Sequence, residues 1–131
     1  MDVIREVQER IAKYPQAQVR RSLTHIEILP VAADGFSVSL RVAADRFGVS
    51  YEGWHEDFDD PTEALDCLAF GLSDACRLKV CSRGGFDYKW TLESRESGDW
   101  VEDSTTGLLL FPFWRSARVR YLQNRLISAD S

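Results

Sequence analysis

Two histidines, His25 and His55, and three cysteines, Cys67, Cys76 and Cys81, are the side chains best suited to nucleophilic, acid–base or metal chemistry. His55 sits in the acidic run Trp54-His55-Glu56-Asp57-Phe58-Asp59-Asp60, which offers imidazole and carboxylate ligands together. The run has neither the DxDxDG spacing of a calcium loop nor the HExxH spacing of a zinc helix. No metal site is expected, and the run reads as a solvated acidic loop leading into a helix. Cys76 and Cys81 stand five residues apart in sequence, without the paired CxxC spacing that would complete four zinc ligands. A cysteine nucleophile needs an adjacent base, and no spacing brings either histidine to a thiol. The cysteines are instead expected as small apolar packing residues. Their odd number, in a chain long enough to fold without staples, suggests a reducing, cytoplasmic compartment. Ser22, Ser82, Ser94 and Ser104 lie in no GxSxG context, and there is no GxGxxG or Walker loop. Gly84-Gly85 precedes a bulky strand rather than a helix, which is the setting of a tight turn and not of a phosphate cradle. No catalytic residue is assigned, and no cofactor is expected.

Two other features could support binding. Phe111-Pro112-Phe113-Trp114-Arg115 gathers three aromatic rings, a proline and a cation, residue types enriched at interaction hot spots. The segment is either a loop with Phe111 and Trp114 plugging the core, or an exposed surface that a protein partner or a second copy in a homodimer should cover. The second feature is charge. From Phe47 through Cys76 there are eight carboxylates and no Lys or Arg. Within that stretch Glu52, His55, Glu56, Asp57 and Asp59 form an acidic patch that could steer a basic partner or could simply be a solvated face. After Gly107, Arg115, Arg118, Arg120 and Arg125 face the single acid Asp130. The net charge of −5 and pI near 5.0 argue against a general nucleic-acid binder, so an RNA contact through Arg115, Arg118 and Arg120 is the weakest of the binding readings.

Elements must hold these groups. A hydrophobic fraction of 44% and a charged fraction of 28% over 131 residues are those of an ordinary globular chain with one core. The longest apolar run, Gly107 to Trp114, falls well short of the ~20 residues that span a bilayer, so no membrane segment is expected. The mixed charges of Met1 to Glu6 lack the order of a secretory signal. Ile4, Val7, Ile11 and Tyr14 recur at helical steps, predicting a helix over Asp2 to Tyr14 that Pro15 ends. Strands are expected at Leu23 to Leu29, around Phe36 to Val42, and around Phe47 to Glu52, giving an antiparallel meander. Asp60-Pro61-Thr62-Glu63 marks a second helix, with Asp60 as N-cap, Pro61 at the first turn and Glu63 closing a capping box. Leu78 and Val80 lead through Ser82-Arg83-Gly84-Gly85 into a return strand whose Phe86, Tyr88, Trp90 and Leu92 share one face. Trp100 to Ser104 adds a strand, and Leu108 to Phe111 reads as a buried strand or docked loop. From Ser116 on, Val119, Leu122 and Leu126 fit a closing helix, while Val119 and Tyr121 also fit a strand.

The expected architecture is one α+β two-layer domain over residues 1–131. A mainly antiparallel sheet of five to seven strands would pack against N-terminal, central and C-terminal helices. Element order, length and acidity are similar to those of secretion-chaperone-type domains, a likeness of fold that implies chain-binding homodimers and is carried by no motif. Without a catalytic constellation, the expected function is that of a small acidic protein-interaction domain: a chaperone, adaptor or immunity-type inhibitor. The alternative is a small ligand-binding domain or enzyme with a pocket near His55, Glu56 and Asp57.

Overall fold

The computed structural model describes residues 2–128, so Met1 and Asp130 lie outside the described residues. The first helix, α1, runs Val3–Ile11. Asp2 caps it by accepting the N–H of Arg5 at 3.2 Å, and Val3, Ile4, Val7 and Ile11 are buried along one side. It stops three residues before Tyr14, and its last amides close turns onto Arg10 and Ile11 ahead of Pro15.

Five strands then form an antiparallel meander: β1 (Gln18–Arg21), β2 (His25–Leu29), β3 (Val38–Ala43), β4 (Arg46–Tyr51) and β5 (Trp54–Phe58). Strand β5 occupies the run expected as an acidic loop. Its three central residues are all exposed, so it lacks the period-2 signal. What makes it a strand is register with β4, Ser50 opposite His55 and Gly48 opposite Asp57, together with the buried anchor Trp54. Helix α2 (Pro61–Leu72) follows with the expected N-cap: Asp60 accepts the N–H of Thr62 at 3.1 Å. Glu63 sits in the first turn, where the helix dipole favours it, without closing the reciprocal bond of a capping box.

The remaining strands, β6 (Cys76–Arg83), β7 (Phe86–Glu96), β8 (Asp99–Gly107) and β9 (Ala117–Leu122), build a separate antiparallel sheet in the order β8-β7-β6-β9. The fold is therefore α+β with two antiparallel sheets, of five and four strands, and two helices among the described residues, in place of one sheet with three helices. Gly84 and Gly85, with φ of 58° and 81°, close the β6–β7 hairpin as a two-residue turn, a conformation that suits residues without Cβ.

The expected C-terminal helix is absent because β9 satisfies the backbone of β6 instead. Val119 lies opposite Cys81 and Tyr121 opposite Lys79, and the Arg77 guanidinium sits 4.0 Å from the centre of the Tyr121 ring. Beyond β9 the chain is irregular and bound to the end of α2. Leu126 and Ile127 both donate to the Leu72 carbonyl at 3.1 Å. The buried Asn124 amide donates to the carbonyls of Gly71 and Phe36, each at 3.0 Å, and its oxygen accepts the Phe36 N–H at 3.1 Å. Helix-end carbonyls without an intrahelical partner thus find donors in the C-terminal segment.

One contiguous cluster of buried residues joins both sheets and both helices. At its centre Phe36, Tyr51 and Trp54 pack ring against ring, the last two stacked 4.6 Å apart. A Cβ at Gly71 would overlap the Tyr51 ring, and one at Gly53 would overlap Trp90. Strand β5 also approaches β8: the Trp54 indole donates to the Ser104 hydroxyl at 2.8 Å, and the His55 N–H to Thr106 Oγ1 at 3.4 Å.

Candidate interaction surface

The connection from β8 to β9, residues 108–116, is neither a buried strand nor a core plug. Leu109 and Leu110 are 97% and 87% exposed, and Phe113 and Trp114 are 70% and 71% exposed. Phe111 is the ring that docks, stacked on Tyr88 with centroids 4.2 Å apart. Phe113 and Trp114 meet edge to face, with centroids 5.3 Å apart.

The backbone beneath these rings is tied down at several points. The Leu108 N–H donates to the Tyr88 carbonyl at 2.8 Å, Phe113 to Phe111 at 2.8 Å, and Arg115 to Pro112 at 3.0 Å. Arg83, at the end of β6, is the main anchor. Its Nη1 donates to the carbonyls of Phe113 at 3.1 Å and Arg115 at 2.9 Å, while its guanidinium lies 5.9 Å from the Tyr88 ring centre. Its Nε is buried without a hydrogen-bond partner, a cost the two carbonyl bonds must offset. Loop and anchor together form an ordered apolar platform, with Phe86 at its margin and Arg115 exposed beside it. Sequence reasoning named Phe111, Phe113, Trp114 and Arg115. It missed Leu109 and Leu110, which three successive leucines could have signalled, and it missed Arg83, for which only the fold brings β6 to the loop.

The acidic residues are placed differently. Glu52 stands in the β4–β5 turn with φ of 54°, a left-handed conformation uncommon for a side chain of its size, and its carboxylate accepts the Ser37 N–H at 3.1 Å. His55, Glu56 and Asp57 are exposed on β5, and Asp59 lies 3.5 Å from Arg46. The basic tail is likewise partly paired. Arg120 holds Asp87 through two bonds of 2.7 and 2.8 Å, and Arg125 holds Asp34 through two bonds of 3.2 Å. Hydrogen bonding to Arg120 lowers the Asp87 carboxyl below its usual value, and Arg125 does the same for Asp34. Arg118 makes no ion pair among the described residues.

Two of the three thiols are shifted away from nucleophilic attack. All three cysteines are free, Cys76 and Cys81 buried and Cys67 half-buried. Burial pushes the Cys67 thiol up to about 11 and the Cys76 thiol still higher, the reverse of what an attacking thiolate requires. The neighbour of Cys67 is Tyr51, whose hydroxyl donates to the Cys67 carbonyl and lies 3.3 Å from its sulfur. Among the described residues neither histidine makes a side-chain hydrogen bond, with His25 set opposite Arg41 on the first sheet. Among the described residues no group of three or more His, Cys, Asp or Glu side chains is placed to hold a metal. An apolar groove of about 170 Å³ runs between α1, α2 and β2, away from His55, lined by Val7, Ile11, Tyr14, Leu65 and Leu68. It is smaller than the roughly 300 Å³ at the low end of ligand pockets. Among the described residues no helix is long and apolar enough to cross a membrane. No family model matches the chain, and neither a curated protein nor a solved structure matches it.

Proposed function

We infer that this chain is a protein-interaction domain whose contact element is the platform of Leu109, Leu110, Phe113 and Trp114. One observation carries the reading: four large apolar side chains, each at least 70% exposed, crown a loop whose backbone is fixed by Arg83 and by the Phe111–Tyr88 stack. Contiguous exposed apolar side chains mark contact sites, and large rings contribute most to binding when the loop carrying them is already ordered. The acidic residues around β5 then serve encounter and solubility. The role fits an adaptor, a chaperone or an inhibitor equally.

The test is a photo-crosslinking residue, p-benzoylphenylalanine, in place of Phe113 in the native host. A discrete adduct that disappears when Leu110 and Trp114 are changed to Ser supports the assignment, and its mass tells a second copy from another protein. No adduct from a correctly folded variant would remove the platform as the contact element.

A further inference from the structure

We propose that β9 is a docking edge to which an extended acidic segment of a partner protein adds as a fifth strand of the second sheet. This rests on the interaction reading and names the class of partner. Strand β9 pairs with β6 along one side only, and among the described residues no strand lies on its other side. Its residues Ala117 to Tyr121 are all exposed, and its first residue follows directly from the platform. Outward-facing N–H and C=O groups of such an edge are a template for another chain.

The other edges are less suited. Strand β1 has four residues, and two of its side chains are engaged, Arg20 with Glu27 and Arg21 with Gln8. Strands β5 and β8 lie against each other through Trp54 and Ser104, and β8 carries Asp99, Glu102 and Asp103.

Charge selects the occupant. Along β9, Arg118 and Arg120 alternate with Val119 and Tyr121, so one face carries the two arginines and the other carries two large apolar side chains about half exposed, with the Arg77 guanidinium against the Tyr121 ring. Asp87 neutralises Arg120, leaving Arg118 and the neighbouring Arg115 without an ion pair among the described residues. A self-pair centred on β9 would set arginine against arginine, and like charges directly opposite are destabilising. A strand with acidic residues on the Arg118 side and apolar residues on the Val119–Tyr121 side meets both faces. The period of two in the partner is dictated by the pleat.

The probe is a fluorescein-labelled heptapeptide, Glu-Val-Glu-Tyr-Glu-Val-Glu, followed by fluorescence anisotropy at low salt. Comparison peptides carry Lys for Glu, or N-methyl groups either at all Glu positions or at all the others. Expected are binding of the Glu peptide, at least tenfold weaker binding of the Lys peptide, and at least tenfold loss for one of the two N-methylated versions. Arg118→Glu should weaken binding at least tenfold, and Arg118→Lys should restore most of it. Equal binding of both N-methylated peptides would show side-chain docking without strand addition and overturn the proposal. So would equal binding of the Lys peptide, no binding at all, or a homodimer that the peptide dissolves. A crosslinked adduct at Phe113 together with no peptide binding would leave the platform standing and remove only the strand addition.

Discussion

At the residue scale, the cysteines, which in the sequence suggest chemistry, are buried or half-buried in the fold. Tyr51 is buried and Cys67 half-buried, and burial is the leading reason that the tyrosine hydroxyl and the thiol hold their protons more tightly than in water. The consequence for stability has a definite sign. Below about pH 9, the ordinary thiol value, Cys67 is protonated whether the chain is folded or not. Between there and about 11 the unfolded chain releases the proton while the folded chain retains it, so stability falls with rising pH. Chemical denaturation from pH 7 to 11 should show the loss beginning near pH 9, and Cys67→Ala should lessen the slope, while the raised Cys76 thiol and Tyr51 hydroxyl keep part of it. A slope unchanged by that substitution would remove Cys67 as one of its sources. Little of this was legible beforehand: the sequence marks cysteines as packing residues, but only the fold sets Cys67 beside Tyr51. Glu52 is similar, since its left-handed turn and its bond to Ser37 depend on a register no local pattern encodes.

At the element scale, legibility followed the locality of the cause. The cap of α2 is set by Asp60 and Pro61, and the β6–β7 turn by Gly84 and Gly85; both form where the sequence places them. Strand β5 and strand β9 depend on partners elsewhere in the chain. Residues 117–126 support a helical and a strand pattern at once, and the unpaired edge of β6 decides between them. The platform is a third such element, because its order depends on Arg83, some thirty residues earlier. Replacing Arg83 by Met keeps the aliphatic stem and removes both carbonyl bonds. It also removes the unpartnered buried Nε, so global stability should fall by only about 1 kcal/mol. The loop itself should loosen sharply: chymotryptic cleavage between Phe111 and Trp114 should accelerate at least tenfold. Unchanged cleavage would mean that the Phe111–Tyr88 stack alone orders the platform.

At the scale of the whole molecule, the α+β class was readable from the alternation of patterns, but the division into two sheets was not. The strands on either side of α2 have the same antiparallel signature, and nothing local records that β5 and β6 fail to pair. Among the described strands, every neighbouring pair is consecutive in sequence except β6 and β9. That exception sets an order of events. Hairpins between consecutive strands close short loops, whereas joining β9 to β6 must first close a much longer one, at greater entropic cost. The hairpin β6–β7 should therefore form before β9 arrives, and the C-terminal segment with Asn124 should lock afterwards. Pulse-labelled hydrogen exchange during refolding should find the amides of Arg77 and Lys79, which face β7, protected earlier than those of Arg118 and Arg120, which face β6, and simultaneous protection would contradict this order. A nascent chain would then complete its hydrophobic centre first and acquire its exposed apolar margin last, which shortens the time an unfinished copy presents that margin to its neighbours.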